Sequence, residues 1–252
     1  MKVFLKKYWR TLLFFMAAGL IGGYPVGVYM LQSYPEALRL QIQAQGLNES
    51  MVGILTAVQY AWYGLVVGGG GIWLGKKTGL WKGERHIAAK PLAVTMVIGV
   101  ISGLLLILAD VLFFGKYSQA IMDSYAVKPD FGYVLGVIVL GGVTEEVMLR
   151  LFVMSLAAFV LHALFEKKQE FVGTKVMIAA NVVAALLFAA GHLPANQMLF
   201  GLTPMIVFRC FLLNGGFGLL FGWLYRRYGL RYAMIAHGGC HVVSKLIWIL
   251  FI

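Results

Sequence analysis

Seven apolar runs, at about 11–31, 51–74, 91–114, 131–164, 176–192, 203–225 and 232–252, constrain this chain more than any other feature of it. Spanning a hydrocarbon core of about 30 Å takes roughly 20 predominantly apolar residues in a helix. Hydrophobic residues make up 61% of the chain and charged residues 12%, too few to clothe a water-exposed surface. In lipid every backbone amide must be satisfied internally, which leaves helices or a closed barrel. Barrel strands need alternating apolar and polar positions, and the runs have no such period. The expected fold is all-α, a polytopic transmembrane helical bundle of about seven (7–8) spans forming a single integral membrane domain over 1–252. The fourth run is too long for one upright helix. It must be strongly tilted, broken near Gly141-Gly142, or partly outside the membrane.

A net charge of +11 invites a nucleic-acid reading, but its distribution argues against one. Lys2, Lys6, Lys7 and Arg10 precede the first apolar run. Lys76, Lys77, Lys82, Arg85 and Lys90 fill the second loop, Lys167, Lys168 and Lys175 the fourth, and Arg226, Arg227 and Arg231 the sixth. The alternate loops are balanced or uncharged. Basic residues on every second loop are the positive-inside pattern, which puts the N-terminus in the cytoplasm and the C-terminus outside. The first apolar run is too long for a cleaved signal and is expected to remain as a span. Cys210 and Cys240 fall inside expected helices and read as small core residues, not as a disulfide. Gly19, Gly23 and Gly27, Gly64 and Gly68, and Gly218 and Gly222 are spaced by four, so each set lines one face where backbones can approach closely. The run Gly68–Gly71 has no evident role in the sequence.

Ionisable side chains at membrane depth usually face the bundle interior and mark a site. Before residue 140 they are nearly absent, with Asp110 near a helix end. After it come Glu145, Glu146, Arg150, Asn181, His192, Arg209, Asn214, His237, His241 and Lys245. Residues 1–130 therefore read as scaffold helices and 131–252 as the part carrying the chemistry. Glu146 and Arg150 are four apart, neighbours on one helical face in the favoured order. Glu145 is rotated about 100° away and is free to take another partner. His237, His241 and Lys245 form a stripe of their own, and two histidines at this spacing can bind a metal or donate jointly to an oxyanion.

The ordered motifs "EEVMLR" (Glu145, Glu146, Arg150), "FAAGH" (Phe188, His192) and "HGGCH" (His237, His241) resemble those of the CPBP family of intramembrane proteases. That family includes CAAX prenyl protease 2 and homologues that process bacteriocins or confer immunity to them. The resemblance covers roughly residues 131–250. It implies an intramembrane endopeptidase acting on a membrane-associated peptide or protein, CAAX-type or bacteriocin/leader-type. By the same resemblance Glu145 activates the attacking water with His192, Glu146 and Arg150 position the first acid, and His237 helps to bind the oxyanion. Where the family commonly has Asn in its last motif this chain has His241, and a neutral imidazole donates one hydrogen where an amide donates two.

Glu145, His192, His237 and His241 would equally make a His/carboxylate zinc site with a bound water, so the expectation is a metal-free mechanism with zinc as its alternative. Two further readings stand beside the protease: a non-catalytic immunity or scaffold protein, and an ion- or proton-coupled transporter. The absence of an internal repeat and the clustering of ionisable groups in one half speak against the transporter. The expected location is the plasma membrane of a prokaryote. The lipid bilayer and a membrane-associated substrate are the expected partners, with no nucleic acid and the oligomeric state open.

Overall fold

The computed structural model describes residues 2–83 and 87–252, so Arg85 of the basic second loop lies outside the described residues. Helix α1 (Lys2–Ser33) is followed by the short α2 (Glu36–Ala44), then by α3 (Glu49–Thr78), α4 (Ala89–Leu112) and α5 (Gln119–Ala126). The long fourth span begins as α6 (Phe131–Val139) and ends as α7 (Ser155–Phe165). Then come α8 (Thr174–Gly191), α9 (Leu193–Phe200), α10 (Pro204–Cys210), α11 (Gly216–Tyr228) and α12 (Leu230–Phe251). There is no strand among the described residues. Among the described residues seven helical stretches are long and apolar enough to cross a membrane, at the positions of the seven apolar runs. The first helix starts well before its apolar run. Lys6, Lys7 and Arg10 do not break a helix, and hydropathy registers only its apolar part.

Local chemistry sets several boundaries. The Asn48 side chain accepts from Met51 N–H at the start of α3, and Gly79, at φ +75°, ends that helix in the left-handed conformation that glycine adopts without strain. Asp130 caps α6 through Tyr133 N–H, and Thr203, ahead of Pro204, caps α10 through Ile206 N–H.

The fourth span runs without a break from Phe131 to Phe165, but it is wound as a π-helix over Leu140–Glu145 and Val147–Met154. Of the three expected ways to fit so long a run, the break near Gly141-Gly142 does not occur; the helix widens there instead. The two glycines lie against α12. A Cβ on Gly142 would stand 3.0 Å from the Gly238 Cα, and one on Gly141 would stand 2.5 Å from His241 Nε2.

Glycine stripes set the remaining contacts. A Cβ on Gly19 would meet the backbone of Tyr60 and Ala61 at 2.5 Å, one on Gly23 would meet Ala57 Cα at 2.8 Å, and one on Gly64 would meet the Phe15 carbonyl at 2.6 Å. Helices α1 and α3 are thus antiparallel and nearly in backbone contact, as small-residue packing in lipid allows. The run Gly68–Gly71 now has a role. A Cβ on Gly71 would lie 2.7 Å from the Leu151 side chain and 3.0 Å from its backbone, so the bare α3 surface admits the wide π-helical turn. Gly71→Ala is expected to cost about 1–3 kcal/mol by overpacking, read as a lowered Tm of the detergent-solubilised protein. An unchanged Tm would mean that α3 and the π-helical turn have room to separate.

Candidate active site

The π-helical turn places two neighbouring carboxylates in different surroundings. Glu146 is wholly buried, and its Oε1 lies 2.8 Å from His237 Nδ1 and 3.3 Å from Arg150 Nη1. A carboxylate oxygen so placed accepts, which puts the His237 hydrogen on Nδ1. Arg150, 1% exposed, also donates from Nη2 to the Gly218 carbonyl at 3.3 Å. Its guanidinium covers the Phe188 ring at 4.7 Å and the Phe221 ring at 5.7 Å. One buried ion pair therefore ties the fourth span to α8, α11 and α12. Glu145 faces elsewhere, as the 100° rotation requires. Its side chain is 24% exposed, lines a cavity of about 460 Å³, and brings Oε2 to 3.8 Å from His237 Nε2.

His192 caps the C-terminal end of α8 and lines the same cavity. Its Nδ1 lies 2.8 Å from the Phe188 carbonyl. A carbonyl only accepts, so Nδ1 carries the hydrogen and Nε2 of the neutral ring offers a lone pair. Phe188 supports both imidazoles, with its centroid 4.7 Å from that of His192 and 5.9 Å from that of His237, edge to face in each case. His237 is stacked between Phe221, at 4.8 Å, and His241, at 5.0 Å. His241 Nδ1 is buried without a hydrogen-bond partner among the described residues.

The three motifs meet. Glu145, Glu146, Arg150, His237 and His241 form one contact cluster, and His192 joins Glu145 on the cavity wall. Counting depth along single helices puts His192 well beyond the other imidazoles. Phe188, one turn before His192, spans the gap and touches both rings.

The stripe continuing to Lys245 does not reach the cluster: Lys245 lies over Trp248 and Tyr133 at 4.7 and 5.4 Å. Asn181 donates to the Leu219 carbonyl and occupies the space beside Gly222, a packing role. Phe221 and Tyr60, a cavity wall from α3, are visible only in three dimensions. Nothing in the sequence distinguishes them from other apolar helix residues. The N-terminal helices do more than frame the chemistry, since α1 supplies Tyr29, Met30 and Ser33 to the cavity and Tyr34 follows just after its end.

Asp110 crosses the same divide. It is buried at the end of α4, receives both Nε and Nη2 of Arg209 from α10, and accepts from Tyr125 Oη at 2.7 Å. Arg209 Nη1 faces Asn196 Oδ1 at 3.4 Å, and Asn196 Nδ2 donates to the His192 carbonyl at 2.8 Å. Arginine only donates, so it orients the Asn196 amide with its NH2 toward His192. Removing one partner of a buried ion pair strands the other. Arg209→Ala is expected to destabilise the protein by about 3–5 kcal/mol, and Asp110→Leu combined with Arg209→Leu to recover much of that, both read by thermal unfolding.

Zinc needs three or four donors converging on one point. Among the described residues no group of three or more His, Cys, Asp or Glu side chains is arranged to hold a metal ion. Glu145, His192, His237 and His241 therefore do not fit a zinc site as they stand. Cys210 and Cys240 are both buried and unpaired. Gly141 leaves no room for a side chain beside the imidazoles, since a Cβ there would meet His241 Nε2 at 2.5 Å and His237 Nε2 at 3.2 Å. Gly141→Ala is expected to push both rings aside and abolish activity, checked by comparing its cleavage rate with wild type at matched folded concentration.

Residues 128–243 match the family model described as type II CAAX prenyl endopeptidase Rce1-like. The first three spans lie outside that match. No curated protein and no solved structure matches the chain. The matched stretch supplies both glutamates, the arginine and all three clustered histidines, and over it this multi-pass, all-helical protein is similar to the CAAX-type intramembrane proteases.

Proposed function

We propose that the protein is an intramembrane endopeptidase in which Glu145 and His192 activate a water molecule for attack on a peptide carbonyl. The observation that carries this reading is the separation of the two acids: Glu146 is consumed by Arg150 and His237, while Glu145 stands on a cavity wall it shares with His192. A water donating one hydrogen to Glu145 and the other to the His192 Nε2 lone pair has its own lone pair directed at a bound substrate. Glu145 takes the proton as the oxygen adds to the carbonyl carbon. His237 Nε2 is the next acceptor, once the 3.8 Å gap has closed by about 1 Å to hydrogen-bond length.

Protonated there, with Glu146 on Nδ1, His237 becomes the donor to the new oxyanion. It then passes the proton to the leaving nitrogen as the carbon–nitrogen bond breaks. His241, stacked behind His237, offers the second N–H. Arg150 and the Phe188 and Phe221 rings hold these imidazoles in place, and such preorganised donors supply the largest share of catalysis in sites of this kind.

Cleavage is expected to survive treatment with a chelator and exhaustive dialysis, because no step uses a metal. Loss of activity on chelation, restored by zinc, would overturn that part of the reading. The function itself is tested by comparing membrane peptides from cells carrying wild type and Glu145→Gln. Peptides that accumulate only in the variant are the substrates.

A further inference from the structure

We infer that the reaction chamber opens on the extracytoplasmic side of the membrane, and that its substrate is an uncharged, apolar peptide segment presented there, in place of a cytoplasmic prenylated C-terminus. The inference deepens the proposed peptidase and rests on it for the substrate, though not for the direction of opening.

The helices divide the molecule into two faces. One carries the start of α1 with Lys6, Lys7 and Arg10, the end of α3 with Lys76 and Lys77, and the α11–α12 junction with Arg226 and Arg227. Lys82 Nζ donates to the Arg227 carbonyl at 2.7 Å, so the second and sixth loops meet on this face. The loop holding Lys167 and Lys168, between α7 and α8, belongs to it by the alternation of spans. The opposite face carries Glu36, Arg39, Glu49, Lys116, Asp123, Lys128 and Asp130, a near-balanced set. Lysine and arginine bias in short loops sets orientation, so the first face is cytoplasmic.

The cavity holding Glu145 and His192 lies toward the other face. Its α1 wall is the C-terminal end of that helix, at Tyr29 and Ser33, and its α8 wall is the C-terminal end there. Helix α9, with Ala195 and Met198, forms the rim. Beside the cluster the fourth span packs closely on α12, where a Cβ on Gly142 would stand 3.0 Å from the Gly238 Cα. A second cavity, of about 650 Å³, is bordered by Arg10, Lys82 and Arg231 on the basic face and by Gly142 and Gly238, yet none of the clustered acids or imidazoles lines it. Among the described residues lining the reaction chamber, Glu145 and His192 are the only ionisable side chains apart from tyrosines. The rest is tyrosine, phenylalanine, methionine, leucine and smaller groups, which favour apolar peptide side chains.

The direction of opening is tested without any substrate. Ala195→Cys and Lys168→Cys place single exposed thiols on the cavity rim and on the basic face, and the native Cys210 and Cys240 are buried. With a membrane-impermeant maleimide and intact spheroplasts of a bacterial host, Ala195→Cys is expected to be labelled, and Lys168→Cys only after lysis. The reverse pattern overturns the inference whatever the activity. The substrate class is tested with wild type in sealed vesicles of known orientation. A quenched-fluorescent leucine-rich peptide at the extracytoplasmic face is expected to be cut, and a farnesylated CAAX peptide at the cytoplasmic face is not. Cleavage of the farnesylated peptide there overturns the inference. If neither peptide is cut but Ala195→Cys is labelled from outside, the opening stands and the proposed peptidase is the part that fails.

Discussion

Glu145→Gln yields a folded protein whose cleavage rate is about 10²–10⁴-fold below wild type, the range expected when a positioned general base is removed. The expectation follows from what each acid touches. Glu145 is partly exposed on the cavity wall, with one weak contact to His237 at 3.8 Å, so its amide isostere strands nothing and Tm should scarcely move. Glu146→Gln makes a contrasting control. It removes the negative charge shared by Arg150 and His237 and leaves the buried guanidinium without its counter-ion, so it should lower both Tm and activity. Equal loss of activity in the two variants, with Tm unchanged in both, would contradict the division of labour between them.

Arg150→Met is expected to destabilise the fold strongly. It leaves the Glu146 carboxylate, 0% exposed, without its cation. It also empties the stack of Phe188 and Phe221 and frees the Gly218 carbonyl. Breaking one side of a buried pair costs about 3–5 kcal/mol, against a total stability of about 5–15 kcal/mol for a typical domain. Thermal unfolding in detergent measures it. The double variant Glu146→Gln with Arg150→Met should recover part of the loss, because no buried charge is left alone. A single variant as stable as wild type would mean that water reaches Glu146.

The spans were legible because hydrocarbon thickness dictates run length, and each apolar run became a helix. Glu146 and Arg150 were legible as a pair from their spacing, and His237 with His241 from theirs. What escaped depended on contacts between distant segments. Phe221 reads as one more apolar residue of α11, and only folding places its ring on His237. Asp110 looked peripheral at a helix end, while its two-point bond to Arg209 links α4 to the helix that follows α9. The π-helical winding of Leu140–Met154 has no signature beyond Gly141 and Gly142, since the same glycines would also suit a kink. The Gly68–Gly71 run made sense only once Leu151 was found against Gly71.

The central claim is that acids and imidazoles from three spans deliver a water molecule to a peptide carbonyl. A single turnover in H2¹⁸O by the reconstituted protein, followed by mass analysis of both product and enzyme, tests it most directly. The account predicts one ¹⁸O atom in the newly formed C-terminal carboxylate of the product and none in the tryptic fragment containing Glu145. Label on Glu145, or an unlabelled product, would show that the glutamate attacks the carbonyl itself and that no activated water is used.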